Sequence, residues 1–499
     1  MIVGKGVGNM GDLLDGIKMV IAFVYEHLVF FNLVLAVIIV FFQRKEPKSV
    51  WAWLLILYFI PVIGFVFYLL IGTDMHKKKM FRTKEIEDKL SDAIRRQEAI
   101  IKNSELAGAY PELADYSDLV LYHLHVSEAV LTDDNRVDFF TDGREKFAAL
   151  VNDFKCAQKS IHIQYYIIGD DELFGAIREV LKEKIKEGVE VRILFDAMGC
   201  RKVRRSLWKE LQKEGFQIGE FFPAIFGRLH LRANYRNHRK IVVIDGKIGY
   251  IGGFNLAREY VGLNPKFGYW RDTHMRIAGT AVNDLQTRFI LDWNFAVRDK
   301  TLVFERYMEE AEENKKGKSP IQIVTGGPDA GTKGIRDTYL RMIHKAKKSI
   351  LIQTPYFIPD EAIMSALKIA VSSGVEVMIM IPCKPDHPFV YWATYSCVGE
   401  LVMQGAKCYT YENGFLHAKG MIVDGLVLSY GTANLDIRSF GLNFEVNAII
   451  YDKKKAEEMQ QYFLQDLRYC KQITKNVYAG RSTIVRLKEQ VSRLLSPLL

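Results

Sequence analysis

Hydrophobic positions divide the chain sharply. From about Val20 to Phe42, and again from Val50 to Gly72, apolar residues run almost unbroken; the second run, VWAWLLILYFIPVIGFVFYLLIG, contains no charge. A helix needs about 20 apolar residues to cross a bilayer, so both runs predict transmembrane or re-entrant helices. Glu26 and His27 fall near one end of the first run, within reach of headgroups. Pro61 and Gly64 sit mid-run in the second and predict a kink or a re-entrant turn. No small-residue cleavage site follows the first run and another apolar run follows at once, which argues against a removed signal peptide.

Beyond residue 75 the pattern becomes short apolar runs alternating with amphipathic ones, and it repeats. KSIHIQYYIIGDD from Lys159 returns as KSILIQTPYFIPD from Lys348, and GVEVRILFDA from Gly188 returns as GVEVMIMIPC from Gly374. In each copy a buried strand, a helix and a Gly-led β-branched run read as a βαβ unit. The fold class is therefore α/β, with two similar halves. The expected organisation is a membrane-anchoring helical segment over 1–75, a polar helical lead-in over 76–135, a first half over 136–304, a charged linker over 305–320 and a second half over 321–499. The last stretch carries Ile484, Leu487, Val491 and Leu494 at helical spacing, with Arg486, Lys488 and Arg493 on other faces. It reads as a helix packed on the domain or lying on a membrane surface.

Composition narrows this only modestly. Lys plus Arg is 68 against 59 for Asp plus Glu, a net charge of +9, in a chain that is 49% hydrophobic. Wholesale disorder is excluded, and an anionic partner is suited without being identified. Six scattered cysteines without CxxC spacing give neither a disulfide framework nor a zinc module, and suggest a reducing compartment. Lys5, Lys18, Lys77, Lys78, Lys79, Arg82 and Lys84 flank the apolar pair, against Arg44, Lys45 and Lys48 between them. The positive-inside rule then places the N-terminus and the large domain in the cytoplasm of a multi-pass membrane protein. Gly6, Gly8 and Gly11 satisfy GxGxxG, but no strand precedes them, so they read as a flexible leader.

The chemistry lies in a second repeat. NHRKIVVIDGKIGYIGGFN places His238, Lys240, Asp245, Gly252, Gly253 and Asn255; LHAKGMIVDGLVLSYGTAN places His417, Lys419, Asp424, Gly431, Thr432 and Asn434 at identical spacing. On a strand, His and Lys at i and i+2 share a face. The glycines are expected to free backbone N–H groups for an anion. Two copies brought together would give two imidazoles, two ammonium groups and two amides (Asn255 and Asn434) around one phosphate. Neutral imidazole attacks a phosphodiester, and a second, protonated one donates to the leaving alcohol. Cationic side chains stabilise the phosphoryl oxygens, so no metal and no cofactor is required. A nuclease would use the same cage, but the apolar runs and the lack of a strong basic tract beyond 77–79 disfavour nucleic acid.

The paired motifs resemble the HKD motifs of the phospholipase D superfamily, and the wider sequence is similar to the bacterial cardiolipin synthases. RNHRKIVVIDG from Arg236, WRDTHMRIAGTAV from Trp270, LQTRFILDW from Leu285, IQTPYFIPD from Ile352, GFLHAKGMIVDG from Gly414 and GTANLDIRSFGLNFE from Gly431 carry the likeness. The resemblance implies one pseudo-twofold catalytic domain made of both halves. It also implies that phosphatidylglycerol gives its phosphatidyl group to His238, releasing glycerol, and that a second phosphatidylglycerol accepts it to form cardiolipin. His417 would be the acid and base, and Asp272 and Glu445 would orient the imidazoles. The candidate catalytic set is then His238, Lys240, Asp245, His417, Lys419 and Asp424, with the aspartates expected to hold a strand-loop turn rather than to react. Hydrolytic phospholipase D and phosphatidylserine synthase are same-site alternatives. The family often has Ser after the first motif Gly, where this chain has Gly253 and Thr432; backbone N–H is expected to substitute at Gly253. FFPAIFGRLHLR from Phe221 offers an acyl-chain entrance with Arg228 and Arg232 near headgroups, or simply core with solvated arginines.

Overall fold

The computed structural model describes residues 19, 22–23, 26–42, 47–68, 94–95, 97–101, 111–223, 235–297, 301–308, 317–329 and 332–495. The glycine-rich leader, the basic run after residue 76, residues 102–110 of the lead-in, residues 309–316 of the linker, and Arg228 and Arg232 lie outside them. The described residues fall into two compact units, one holding the helices before residue 76 and the other beginning in the lead-in.

The first unit consists of α1 (Leu28–Val37), continued by a π-helical turn over Ile38–Phe42, then α2 (Pro47–Phe59) and α3 (Pro61–Phe67). No described helix is long and apolar enough to cross a membrane. The second apolar run is broken at Ile60, because Pro61 has no N–H to give the carbonyl of Leu57. Asn32 of α1 takes over, its Nδ2 lying 3.3 Å from the Leu57 carbonyl and 3.3 Å from that of Pro61. The outer surface is apolar: Val29, Phe41, Tyr58 and Phe59 are all exposed.

The second unit carries the repeat. After α4 (Ser117–Val126), the first half runs β1 (Thr132–Asp142), α5 (Gly143–Cys156), β2 (Ser160–Tyr165), α6 (Glu172–Lys186), β3 (Glu190–Asp196), α7 (Arg205–Lys213), β4 (Gln217–Phe221), β5 (Arg236–Asn237), β6 (Ile241–Ile244), β7 (Ile248–Gly252), β8 (Trp270–Ala278) and α8 (Ala281–Ala296). The second half runs β9 (Ser319–Gly326), α9 (Gly334–Lys345), β10 (Ser349–Gln353), β11 (Phe357–Ile358), α10 (Glu361–Ser372), β12 (Glu376–Pro382), α11 (Pro388–Gln404), β13 (Lys407–Tyr411), β14 (Phe415–Leu416), β15 (Gly420–Val423), β16 (Val427–Gly431), β17 (Leu435–Asp436), α12 (Ile437–Gly441), β18 (Asn443–Ile450), α13 (Lys453–Leu467), β19 (Cys470–Ile473), α14 (Lys475–Ala479) and α15 (Thr483–Leu495).

Each half builds one mixed sheet. The first has the order β1-β8-β7-β6-β2-β3-β4, and the second β9-β18-β16-β15-β10-β12-β13-β19. In both, the expected βαβ units supply the parallel strands, β2-β3-β4 and β10-β12-β13. The inner strands β2 and β3 are buried on both faces, as their near-continuous apolar runs require. The helices α6, α10 and α13 open on Asp171, Asp360 and Asp452, whose carboxylates accept from the first-turn N–H groups.

The halves are joined by strand pairing. β1 pairs with β9, β14 pairs in parallel with β8, and β5 pairs in parallel with β18. The apolar core between the sheets draws on both, with Val137, Val243 and Ile277 from one side and Ile323, Ile422 and Val446 from the other. All six cysteines are free.

Candidate active site

The motif residues do not lie within strands, as the sequence pattern suggests. His238 to Lys240 fill the gap between β5 and β6, and His417 to Lys419 fill the gap between β14 and β15. The backbone stays extended enough for side chains to alternate. His238 and Lys240 face one cavity, while Arg239 between them turns the other way. Its Nη1 donates to both carboxylate oxygens of Asp292 at 2.6 and 2.8 Å, and the pair is fully buried. Arg239 also reaches across to the Glu445 and Gly326 carbonyls at 3.2 and 3.0 Å, so it ties the first motif to the second half.

Strand pairing between the halves delivers each imidazole to a carboxylate from the other half. The His238 backbone N–H donates to the Phe444 carbonyl at 2.9 Å, and the His417 backbone N–H to the Arg271 carbonyl at 2.7 Å. His238 Nδ1 then lies 3.1 Å from Glu445 Oε1, and His417 Nδ1 lies 2.6 Å from Asp272 Oδ2. Both carboxylates are completely buried, whereas the imidazoles keep 21% and 14% of their exposure toward the cavity. With Nδ1–H directed at a carboxylate, Nε2 is the nitrogen left to face the cavity. Lys240 Nζ donates to the His238 carbonyl at 2.6 Å, and Lys419 Nζ donates to the His417 carbonyl and lies 2.7 Å from His417 Nδ1 and 3.6 Å from Asp272.

Burial sets the protonation of this group. It pulls His238 below the usual histidine value against the opposing charge of Glu445. Burial and the Lys419 ammonium together pull His417 down to about 4, although Asp272 opposes them. Burial likewise lowers Lys240 to about 7 and lowers Lys419. Asp272 resists the upward push of its own burial and is held low by Lys419 and His417. Burial therefore favours neutral imidazoles in the free enzyme, and added negative charge in the cavity would favour their protonated forms.

The cavity measures about 640 Å³ and is lined by both histidines, both lysines, Asn255 and Asn434. Asn255 is largely committed: its Oδ1 accepts from Ile167 N–H at 3.1 Å and its Nδ2 donates to the Tyr260 hydroxyl at 2.6 Å. Asn434 Oδ1 is buried without a hydrogen-bond partner among the described residues. Aromatic walls hold the imidazoles, Tyr166 with its ring centroid 4.3 Å from that of His238 and Trp270 at 5.2 Å from that of His417.

One grouping and one expectation need correction. Asp245 and Asp424, grouped with the catalytic candidates, do not line the cavity. Each takes a positive φ (55° and 56°) at the end of its strand. Asp245 accepts from the N–H groups of Gln158, Lys159 and Ser160, and Asp424 from those of Lys347, Lys348 and Ser349. They lock the turn after β6 or β15 to the start of β2 or β10, the turn-holding role anticipated for them. The N–H groups of Gly253 and Gly431 are not left for an anion either. Gly253 N–H is bonded to the Thr273 carbonyl at 2.8 Å and Gly431 N–H to that of Lys419 at 3.4 Å, while the N–H of Thr432, opposite Gly253, is bonded to the Val446 carbonyl at 2.9 Å. A Cβ on Gly253 would stand 1.9 Å from Asp272 Oδ1, so the missing side chain makes room for that carboxylate.

Other cavity residues gave no signal in the motif spacing. Arg236 and Arg438 line the cavity from β5 and α12, and Asp386, accepting from the Tyr356 hydroxyl, lines it with His387. Asn443, whose Nδ2 lies 3.2 Å from Glu445 Oε1 and 3.3 Å from His238 Nδ1, completes the first pair. Its place in LNFE, two residues before the carboxylate on an extended strand, was the available clue.

Comparison with known proteins agrees with this architecture. A family model described as "Cardiolipin synthase, PLD-like domain" matches residues 150–293 and 339–467, and one described as "Phospholipase_D-nuclease N-terminal" matches residues 30–72. A cardiolipin synthase of Oceanobacillus iheyensis is 49% identical over 94% of this chain and 97% of its own length. The major cardiolipin synthase of Bacillus subtilis is 48% identical over 94% of this chain and 97% of its own. Among solved structures, phosphatidylserine synthase of Haemophilus influenzae superposes with a TM-score of 0.57 at 16% identity, covering 74% of this chain and 94% of that one, which speaks to the fold alone.

Proposed function

Because this chain belongs to the phospholipase D-like cardiolipin synthase family, we propose that its cavity joins two phosphatidylglycerol molecules through a phosphohistidine on His238. The chain is a membrane-associated phosphatidyltransferase, and its substrates are phosphatidylglycerol and the membrane lipid around it. The observation that carries the mechanism is the crossed pair of dyads, His238 with Glu445 and His417 with Asp272, opening on one cavity beside two lysines.

In the first half-reaction, neutral His238 attacks phosphorus through Nε2, with Nδ1–H held by Glu445. The P–N bond forms as the P–O bond to the headgroup glycerol breaks, and His417 gives its proton to the departing oxygen. In the second, His417 removes the proton from a hydroxyl of the incoming phosphatidylglycerol. That oxygen bonds to phosphorus and the P–N bond breaks, leaving cardiolipin and a free site. Lys240 and Lys419 offset the charge on the phosphoryl oxygens, with Asn255 and Asn434 beside them. A bound phosphodiester anion adds negative charge beside His417, so protonation of His417 becomes favourable when the substrate binds. Asp386 adds negative charge on the His417 side, which suits an acid.

The apolar surface of α1 to α3, and the basic residues flanking the apolar runs, support a multi-pass or re-entrant anchor with the catalytic unit in the cytoplasm. The test is to give purified full-length enzyme radiolabelled phosphatidylglycerol. Cardiolipin with equimolar glycerol is expected. Phosphatidic acid as the main product would make the enzyme a hydrolase, and a lipid adduct that still forms in His238→Ala would remove the proposed nucleophile.

A further inference from the structure

The last helix turns its apolar residues outward. In α15, Ile484, Leu487, Val491 and Leu494 are 67, 65, 42 and 79% exposed, while Glu489 and Ser492 are buried. Specific bonds hold this orientation. Glu489 accepts from Arg481 Nε at 2.8 and 2.9 Å and from the Tyr478 hydroxyl at 3.5 Å. A helix on a water-facing surface places its apolar stripe against the core; here the spacing of three, four and three residues gives one continuous stripe facing away from it.

On α15 itself the charge beside the stripe has one sign: Arg486, Lys488 and Arg493 lie on this helix, Arg493 being paired with Glu400 of α11, and its only acid is the inward Glu489. Lys471 and Lys475 are exposed on β19 and α14 just before it. An apolar stripe with cationic borders is complementary to anionic headgroups over acyl chains. Its position bears on the cavity. Lys488 Nζ lies 5.2 Å from the Trp392 ring of α11, and Arg493 bonds Glu400 of the same helix at 3.1 Å. At its other end α11 begins beside the cavity, where His387 and Val390 line the wall and Phe389 is exposed.

We propose that α15 lies on the anionic leaflet with its apolar stripe at the acyl boundary, and holds the α11 edge of the cavity at the lipid surface. This deepens the lipid-substrate reading above and rests on it. The test uses full-length protein in vesicles, with a nitroxide on Leu487→Cys in a background carrying Cys156→Ser, Cys383→Ser and Cys470→Ser. In mixed phosphatidylcholine–phosphatidylglycerol vesicles, membrane-dissolved oxygen is expected to relax the label more than an aqueous nickel chelate does. Arg486→Glu with Lys488→Glu is expected to reverse that order. Stronger nickel relaxation in the unreversed protein overturns the proposal. Protection from both reagents also overturns it, because a second copy or another part of this chain then covers the stripe.

A second arm reads catalysis. Ile484→Ser with Leu487→Ser and Leu494→Ser is expected to form cardiolipin about tenfold more slowly from vesicles, and at an unchanged rate from short-chain phosphatidylglycerol dispersed as monomers. Equal effects on both substrates overturn the proposal. If the unsubstituted enzyme makes no cardiolipin from either form, the lipid-substrate reading fails, while the nitroxide result still reports where α15 lies.

Discussion

At Gly253 a single side chain would compete with a carboxylate for the same space. In the second half, Thr432 Oγ1 accepts the Val446 N–H at 2.9 Å. In the first half, the corresponding Thr273 N–H is taken by Asp272 Oδ1 at 2.8 Å, which enters the space Gly253 leaves. Gly253→Ala would push Asp272 aside and supply no acceptor in its place, leaving a buried N–H unpaired at a cost of about 1–3 kcal/mol. Gly253→Ser supplies the hydroxyl that Thr432 supplies opposite. Serine is therefore expected to retain more activity and a higher melting temperature than alanine; the reverse order would refute the exchange of acceptors. Lys240 gives a second expectation. Burial lowers it to about 7, so in the free enzyme it loses its proton as pH rises through that value, and the phosphate loses a cation. The rate constant kcat/KM should fall above about pH 7, and Lys240→Arg, which stays protonated, should abolish that limb even as it lowers kcat. The residue types and spacing of both motifs were legible in the sequence. The partners of the glycine N–H groups were not, because strand register decides them.

At the level of elements, the repeat itself revealed the two βαβ units, and the structure has both. It did not reveal that β5 would pair with β18 and β14 with β8, since these partners stand some 145 to 207 positions apart in register. That crossing makes each half provide the carboxylate for the other half's imidazole. Arg271 helps to fix it. The side chain is buried in β8 and donates from Nε to Asp466 of α13 at 3.0 Å, with Nη2 2.7 Å from the same carboxylate. Its carbonyl accepts the His417 backbone N–H. Asp466→Leu leaves this guanidinium buried without its carboxylate, at a cost of about 3–5 kcal/mol. Adding Arg271→Met removes the stranded charge and is expected to restore most of the stability. Urea midpoints of the single and double variants decide it, and a double variant weaker than Asp466→Leu alone would show that the pair does not act as a unit.

The molecule as a whole buries several histidines outside the two motifs. Burial lowers His123 and His162 to about 3 and places His274 well below its usual value. Each is neutral in the fold and takes up a proton in the unfolded chain below about pH 6.5. Such a group favours the fold fully above that pH, and its contribution is lost as pH falls toward the folded value. Asp284, raised to about 7 by burial, works in the opposite direction. It binds its proton in the fold first, so between about pH 7 and 4 acid favours the native state at this one position. His274 isolates the first effect. It follows Asp272 by two residues on β8, and neither ring nitrogen has a hydrogen-bond partner among the described residues. At the same register in the second half stands Asn447, which bonds the Tyr339 hydroxyl and Ser429. His274→Leu removes an imidazole that burial leaves unpaired, and should stabilise the protein at neutral pH by about 1–3 kcal/mol. Between about pH 6.5 and the folded-state value it should also reduce the acid slope of stability by about 1.4 kcal/mol per pH unit. Denaturation at stepped pH measures both. An unchanged slope would mean that His274 is protonated to the same extent folded and unfolded.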